Sequence, residues 1–192
     1  VKHITKENKM ALLSVLIPTL PNRIEMYHDL LKELNKQRTS YIEIITHSDP
    51  FMSIGQKRNE LLNDANGEYV CFIDDDDTIS ENYINHLLEG IHKGVDCCSL
   101  RGRITFDGIL PEYFEHSIKY KEYKTTDNPI KYERYPNHLN CIKSSIAKQF
   151  KFPEINHGED TDWATQIFNS GLIKTEHYIN GIMYYYKFIT NK

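Results

Sequence analysis

The chain has 192 residues, near the roughly 150 of one domain, and 40% are hydrophobic, enough for a core without disulfide or metal staples. With 23 Lys and Arg against 27 Asp and Glu the net charge is -4, which excludes a generally basic nucleic-acid coat and a polybasic membrane patch. No apolar run approaches the ~18 residues of a membrane span, and residues 1–10 are polar with no leader-like core, so a cytoplasmic chain without a transmembrane segment is expected.

Residues 12–17 form a continuous apolar run stopped by Pro18, the pattern of a buried strand. Ile24, Tyr27, Leu31 and Leu34 then follow helical spacing, with Leu30 widening the stripe. Residues 41–46 are a second strand. Ser53 and Gln56 stand at capping-box spacing and open a helix carrying Ile54, Leu61, Leu62 and Ala65, which Asn66-Gly67 ends. A third strand, 69–73, runs straight into Asp74-Asp75-Asp76-Asp77. Ser80 is placed to cap a helix with Tyr83, Ile84, Leu87, Leu88 and Ile91 on one face; Gly94 ends it, and 95–100 read as a fourth strand. Cys71, Cys97, Cys98 and Cys141 form no C-x-x-C pair and read as reduced, buried thiols, with the adjacent Cys97 and Cys98 facing opposite sides of a strand.

This alternation implies right-handed crossovers and an α/β fold: a mainly parallel, Rossmann-like sheet with helices on both faces. Ligands of such sheets sit beyond the carboxyl ends of the strands, where Pro18-Thr19, His47-Ser48-Asp49 and the Asp run fall. Residues 101–136 break the pattern and read as hairpins or a lid, their tyrosines serving either as an aromatic platform or as ordinary packing. A short helix at 144–149, a helix at 159–169 with Trp163, Ile167 and Phe168 on one stripe and Gly171 at its end, and strands at 173–179 and 181–189 complete the chain. Nothing divides it, so one domain over 1–192 is expected.

Three segments carry chemistry. Consecutive carboxylates at the mouth of a buried strand repel one another and call for a cation or a ring of donors, unless the run is a solvated acidic turn. Gly158-Glu159-Asp160-Thr161-Asp162-Trp163 is either an acidic helix start suited to the macrodipole or the mount of a general base. Gly55-Gln56-Lys57-Arg58-Asn59, at a helix N-terminus, is either an anion site for a diphosphate or a solvated face.

Together the segments resemble the family 2 glycosyltransferases of the GT-A fold. The resemblance rests on Leu13-Ser14-Val15-Leu16-Ile17-Pro18-Thr19, Gly55-x-x-Arg58-Asn59, Asn66-Gly67-Glu68-Tyr69-Val70-Cys71-Phe72-Ile73-Asp74-x-Asp76-Asp77 and Gly158-Glu159-Asp160-x-x-Trp163, in the family's order. It implies a metal-dependent, inverting transferase that uses a nucleotide sugar, a UDP-sugar first among them. Residues 1–100 would bind the donor; residues 101–192 would supply the acceptor side and the base. Pro18, Thr19 and Arg23 would line the nucleotide pocket, with Asp49 reading the base, Arg58 near base and diphosphate, and Asp74 and Asp75 by the ribose. Asp76, helped by Asp74, would hold Mn²⁺ or Mg²⁺. Asp160 would be the catalytic base, Glu159, Trp163 and His138 would meet the acceptor, and Lys187 the diphosphate. The acceptor itself, whether glycan, lipid-linked sugar, protein or modified nucleic-acid base, is left open by the resemblance.

The chain departs from the pattern at Ser48-Asp49-Pro50-Phe51, where an Asp-Asp-Gly-Ser is usual, and at Tyr186-Lys187-Phe188-Ile189, where a metal-contacting His often stands. The third metal ligand is therefore open, with His138, His157 and His177 as substitutes. Two rival readings stand beside this one. The strand followed by Asp74-x-Asp76-x-Thr78 also fits a haloacid-dehalogenase-like phosphatase with Asp74 as nucleophile and Asp76 as general acid, although two strand–helix units precede it. A catalytically inactive nucleotide-sugar-binding module is the other.

Overall fold

A computed structural model describes residues 11–189; the polar stretch 1–10 lies outside the described residues. In chain order the first half runs β1 (Leu13–Pro18), a 3-10 turn (Pro21–Arg23), α1 (Ile24–Lys36), β2 (Ile42–His47), α2 (Ile54–Asp64), β3 (Tyr69–Phe72), β4 (Thr78–Ile79), α3 (Tyr83–His92) and β5 (Cys97–Cys98). The second half runs β6 (Leu100–Phe106), β7 (Ile109–His116), β8 (Lys124–Thr125), β9 (Tyr132–Arg134), β10 (Ile142–Lys143), α4 (Ser144–Ala147), α5 (Glu159–Ser170), β11 (Glu176–His177) and β12 (Tyr184–Phe188).

The first sheet has the order β11-β5-β10-β3-β1-β2. β1 is buried along its length and pairs in parallel with β2 and β3, as the strand–helix alternation dictates. Alternate side chains separate two cores. Val15, Cys71 and Ile73 face Leu30 and Leu34 of α1 and Leu87 of α3, while Leu16, Val70 and Phe72 face Leu61 of α2 and Trp163 and Ile167 of α5. Cys97 and Cys98 divide between these cores as neighbours in a strand must. All four cysteines are free and buried, and burial pushes the Cys71 thiol up to about 12.

The structure corrects the expected sheet in two respects. The sheet is mixed: β10 inserts antiparallel between β3 and β5, with Ile142 opposite both Val70 and Cys97. It arrives from the second half with no crossover helix in front of it, so nothing constrains it to run parallel. The expected strand 95–100 also splits, Cys97–Cys98 staying in the first sheet while Leu100 opens β6 of a second one. That second sheet, ordered β4-β12-β6-β7-β9-β8, organises the region read as hairpins or a lid. β6 and β7 form the hairpin, and β12 lies parallel to β6. Leu100, Ile104, Phe114 and Tyr184 join its inner face to the core that holds α1 and α3.

The helix ends show local and long-range capping. α2 carries the full capping box: the Gln56 N–H donates to Ser53 Oγ at 3.2 Å and the Ser53 N–H to Gln56 Oε1 at 2.8 Å. Ser80 does not cap α3 with its side chain, contrary to expectation; the cap is Asn82, and Gln37 at the end of α1 supplies the missing acceptor, taking the Ile84 N–H at 3.0 Å. The two C-terminal strands are shorter than their apolar runs. No helix among the described residues is long and apolar enough to cross a membrane.

Candidate active site

The carboxyl ends of β1 and β3, the start of α5 and the inner face of the second sheet enclose a cavity of about 1080 Å³. Its acidic wall is the Asp74–Asp77 loop, and each carboxylate has a separate fate. Asp75 is buried, accepting from Thr19 Oγ1 at 2.7 Å and from Arg23 Nη1 at 2.9 Å. Asp77 is buried beneath the loop, held by the Tyr184 hydroxyl at 2.8 Å and the Lys187 N–H at 3.0 Å. Burial, reinforced by the charge on Asp74, pushes the Asp77 carboxyl up to about 8. Asp74 pairs with Arg58 Nη2 at 2.9 Å, and its N–H donates to the Tyr184 hydroxyl. Burial alone would raise Asp74, but the Arg58 guanidinium and His138 together hold it well below the usual carboxylate range. Asp76 lines the cavity, with Arg23 Nη1 3.7 Å away.

Arg58 ties this loop to the Gly158-Glu159-Asp160 turn. Its other nitrogen, Nη1, donates to Glu159 Oε1 at 2.7 Å, and both residues are buried. The guanidinium lies 5.7 Å from the ring centroids of Phe72 and of Phe152. Phe152 stacks at 4.7 Å on Trp163, and Asn59 exchanges two hydrogen bonds with the Phe152 backbone. Gly55 belongs to the same joint: a Cβ there would lie 1.8 Å from the Pro153 carbonyl oxygen, so only glycine lets α2 approach this segment. Asp160 follows Glu159 in the first turn of α5, which opens from Gly158 at φ 83°, and it lines the cavity. His138 stands between the two acidic segments, Nδ1 3.5 Å from Asp160 Oδ2 and Nε2 3.8 Å from Asp74 Oδ2. Both ring nitrogens are buried and make no closer bond.

Pro18, Thr19, Arg23, Arg58, Asp74, Asp75, Asp76, His138, Glu159 and Asp160 thus share one cavity, though not always in the expected role. Arg58 pairs with both Glu159 and Asp74, which makes it a strut between the two acidic segments at the cavity wall. Trp163 is 1% exposed and packs beneath the site, so it does not present a face to an acceptor. Asp49 turns back to accept the Phe51 N–H at 2.8 Å, and the cavity is lined by its neighbours Pro50 and Met52. Lys187 contributes its backbone N–H to Asp77, and its side chain does not line the cavity. The α2 N-terminus is no anion site: Ile54, Gly55 and Gln56 give their N–H groups to Asn156 Oδ1, the Ile155 carbonyl and Ser53 Oγ. His177 lies by Lys93 and Glu89, away from the cavity, whereas His157 lines it. Lys57, from the segment read as a candidate anion site, lines it and donates to the Thr19 carbonyl at 3.0 Å; Tyr132, Arg134 and Tyr186 line it without an expected role.

No group of three or more His, Cys, Asp or Glu side chains among the described residues is arranged to hold a metal ion. Mg²⁺ needs only one or two carboxylates when substrate phosphates supply the remaining oxygens, and Asp76 at the cavity wall, with Asp74 beside it, fits that arrangement.

A strand-end cavity over a mixed sheet, with acids on a loop and at a helix start, defines an α/β protein of the GT-A type. The profile described as Glycosyl transferase family 2 matches residues 26–155, and the chain belongs to that family. Among solved structures, residues 1–349 of S. aureus TarS are 18% identical, with 91% of this chain and 60% of that chain covered and a TM-score of 0.67. The same S. aureus protein in complex with UDP-GlcNAc matches at 18% identity over 91% of this chain and 58% of that one, with a TM-score of 0.66. Its complex with UDP matches at 18% identity and a TM-score of 0.67, again over 91% of this chain and 60% of that one. The chain therefore spans about three fifths of the length of these structures. No curated protein sequence matches it. The phosphatase reading falls with the family assignment.

Proposed function

We propose that the chain transfers a sugar from a nucleotide sugar, a UDP-sugar by analogy with the UDP-GlcNAc and UDP complexes of TarS, to an acceptor hydroxyl with inversion at the anomeric carbon. The observation that carries this reading is the convergence of Asp160 and the Asp74–Asp77 loop on one cavity, with His138 between them. Asp160 takes the proton of the attacking hydroxyl, and α5, anchored by Trp163 and Ile167, gives it a rigid mount. His138, with Nδ1 3.5 Å from Asp160 Oδ2, would be a positioning residue for the Asp160 carboxylate. The nucleotide lies along Pro18, Thr19 and Arg23, a wall already rigidified by the Thr19–Asp75–Arg23 bonds. Asp76, with Asp74, would hold Mg²⁺ or Mn²⁺, which when bound neutralises charge on the departing diphosphate. Holding donor and acceptor in line converts a bimolecular step into an effectively unimolecular one.

The test is UDP binding by calorimetry with and without Mn²⁺, followed by transfer from a panel of UDP-sugars. Asp160→Asn should lower transfer by ~10²–10⁴-fold and leave UDP affinity unchanged. Failure of the wild-type chain to bind UDP in either condition would overturn the donor assignment, and near-normal turnover of Asp160→Asn would remove the base.

A further inference from the structure

Four Lys and Arg side chains line the cavity: Arg23, Lys57, Arg58 and Arg134. Three have acidic neighbours. Arg23 pairs with Asp75, Arg58 with Asp74 and Glu159, and Lys57 lies in the field of Asp49 and Asp75. Arg134 differs: no Asp or Glu among the described residues forms an ion pair with it. Its guanidinium carbon lies 4.9 Å from the Tyr123 ring centroid and 5.5 Å from that of Tyr132, and Nη1 donates to the carbonyls of Lys124 at 2.6 Å and Glu133 at 2.9 Å. Its plane is thus fixed by two rings and two carbonyls before any ligand arrives. A cation partly withdrawn from water without a counter-ion is costly, and the guanidinium fork matches the oxygens of a carboxylate or phosphate.

The position of Arg134 says which substrate it meets. Tyr123, which carries it, packs at 4.4 Å on Tyr135; Tyr135 stacks at 4.3 Å on Phe168 and bonds Thr165 Oγ1 at 2.7 Å. Phe168 and Thr165 belong to α5, the helix that begins with Glu159 and Asp160. Arg134 is therefore mounted on the side of the general base, and the nucleotide wall of Thr19, Arg23 and Asp75 is built on other elements. We propose that Arg134 binds an oxyanion, phosphate or carboxylate, carried by the acceptor. The inference rests on the transfer reading above for the word acceptor; the oxyanion site itself does not.

The experiment titrates three small probes, glycerol 1-phosphate, glycerate and glycerol, onto the wild-type chain and onto Arg134→Gln at low ionic strength, each with and without saturating UDP. One or both charged probes should bind the wild type and lose ~10–100-fold in affinity in Arg134→Gln, while glycerol shows no dependence on the residue. Whichever charged probe binds identifies the oxyanion. Arg134→Lys, which keeps the charge without the fork, should recover part of the loss, and circular dichroism of each variant should match the wild type. Equal affinity of wild type and Arg134→Gln for both charged probes overturns the proposal. Displacement of the probe by UDP, with UDP itself weakened in Arg134→Gln, overturns it too by giving Arg134 to the donor diphosphate. If UDP binds neither protein yet the charged probe still depends on Arg134, the donor reading fails and the oxyanion site stands.

Discussion

The two walls of the cavity are built on opposite principles. On the side of the Asp74–Asp77 loop, charges are cross-linked: Thr19, Arg23 and Asp75 form one knot, Arg58, Asp74 and Glu159 another, and Tyr184 with Asp77 a third. On the side of β9, aromatic faces do the work, with Tyr123, Tyr135 and Phe168 in a row and Arg134 laid against Tyr123 and Tyr132. Ion pairs and charge-assisted hydrogen bonds hold the acidic wall in a fixed geometry. The row of rings stands behind the lining, and of this group only Tyr132 and Arg134 reach the cavity itself. The contrast teaches that the acids visible in the sequence are mostly used in holding one another, and that few remain free to act.

Removing the central strut should give the largest effect. Arg58→Ala would leave the buried Glu159 and the half-buried Asp74 as carboxylates without their cation, and stability should fall by ~3–5 kcal/mol, read from urea unfolding. A loss below ~1 kcal/mol would mean that the knot is solvent-relaxed and that the two walls are less different than described.

Acid sharpens the comparison. His116, under the aromatic wall and surrounded by Asn140, Asn137, His138 and Arg134, is pushed by burial from 6.5 down to about 3, so it is neutral in the folded chain. Between those values the unfolded chain binds a proton that the folded chain refuses, and stability should fall as pH drops through that window. Glu115, buried against Arg101 and Lys119, adds a second loss only below 4.5, because burial is outweighed by its donors and its carboxyl is held down at about 2. Asp77, whose carboxyl is pushed up to about 8, gains stability over the same range, so the His116 contribution is read as a difference: the melting temperature of the wild type relative to His116→Asn should fall from pH 7 to 4.5. A difference between the two proteins that stays constant over that range would show that His116 is not buried neutral.

The smallest effect expected is at the aromatic row. Tyr135→Phe removes only the bond to Thr165 and should cost about 1 kcal/mol, leaving the stack with Phe168 intact. A much larger loss would mean that a directional bond, and not ring packing, positions that wall.

Where local pattern decides structure, the sequence was legible. The Ser53–Gln56 box, the apolar stripes of α1, α3 and α5, the stop at Gly171 and the division of Cys97 from Cys98 all follow from spacing alone. The Asp160 turn and the Asp run, each a separate candidate in the sequence, share one cavity. What could not be read depends on partners far away in the chain. β10 has two residues and no periodicity, and Gln37 caps a helix through an N–H 47 residues further along the chain. Arg134 sits in a stretch of Tyr, Lys and Glu where nothing marks one cation as lacking an acid, since that depends on which neighbours the second sheet brings near it. Trp163 was misassigned for a similar reason: its helical stripe shows that it is buried, and only Phe152 shows what it is buried against.

β10 also sets an order of events at the ribosome. The edge of β3 that it covers belongs to a strand complete by residue 72, and its own residues emerge only at 142. Until then a growing chain holds a buried-type strand, Tyr69–Phe72, with one side unpaired. A nascent chain stalled between those points would present that edge to other chains or to chaperones, and a fragment ending near residue 100 would keep it open permanently. Residues 1–100 are therefore a region of the fold and not a unit of synthesis: their sheet is finished by a strand that residues 101–192 deliver.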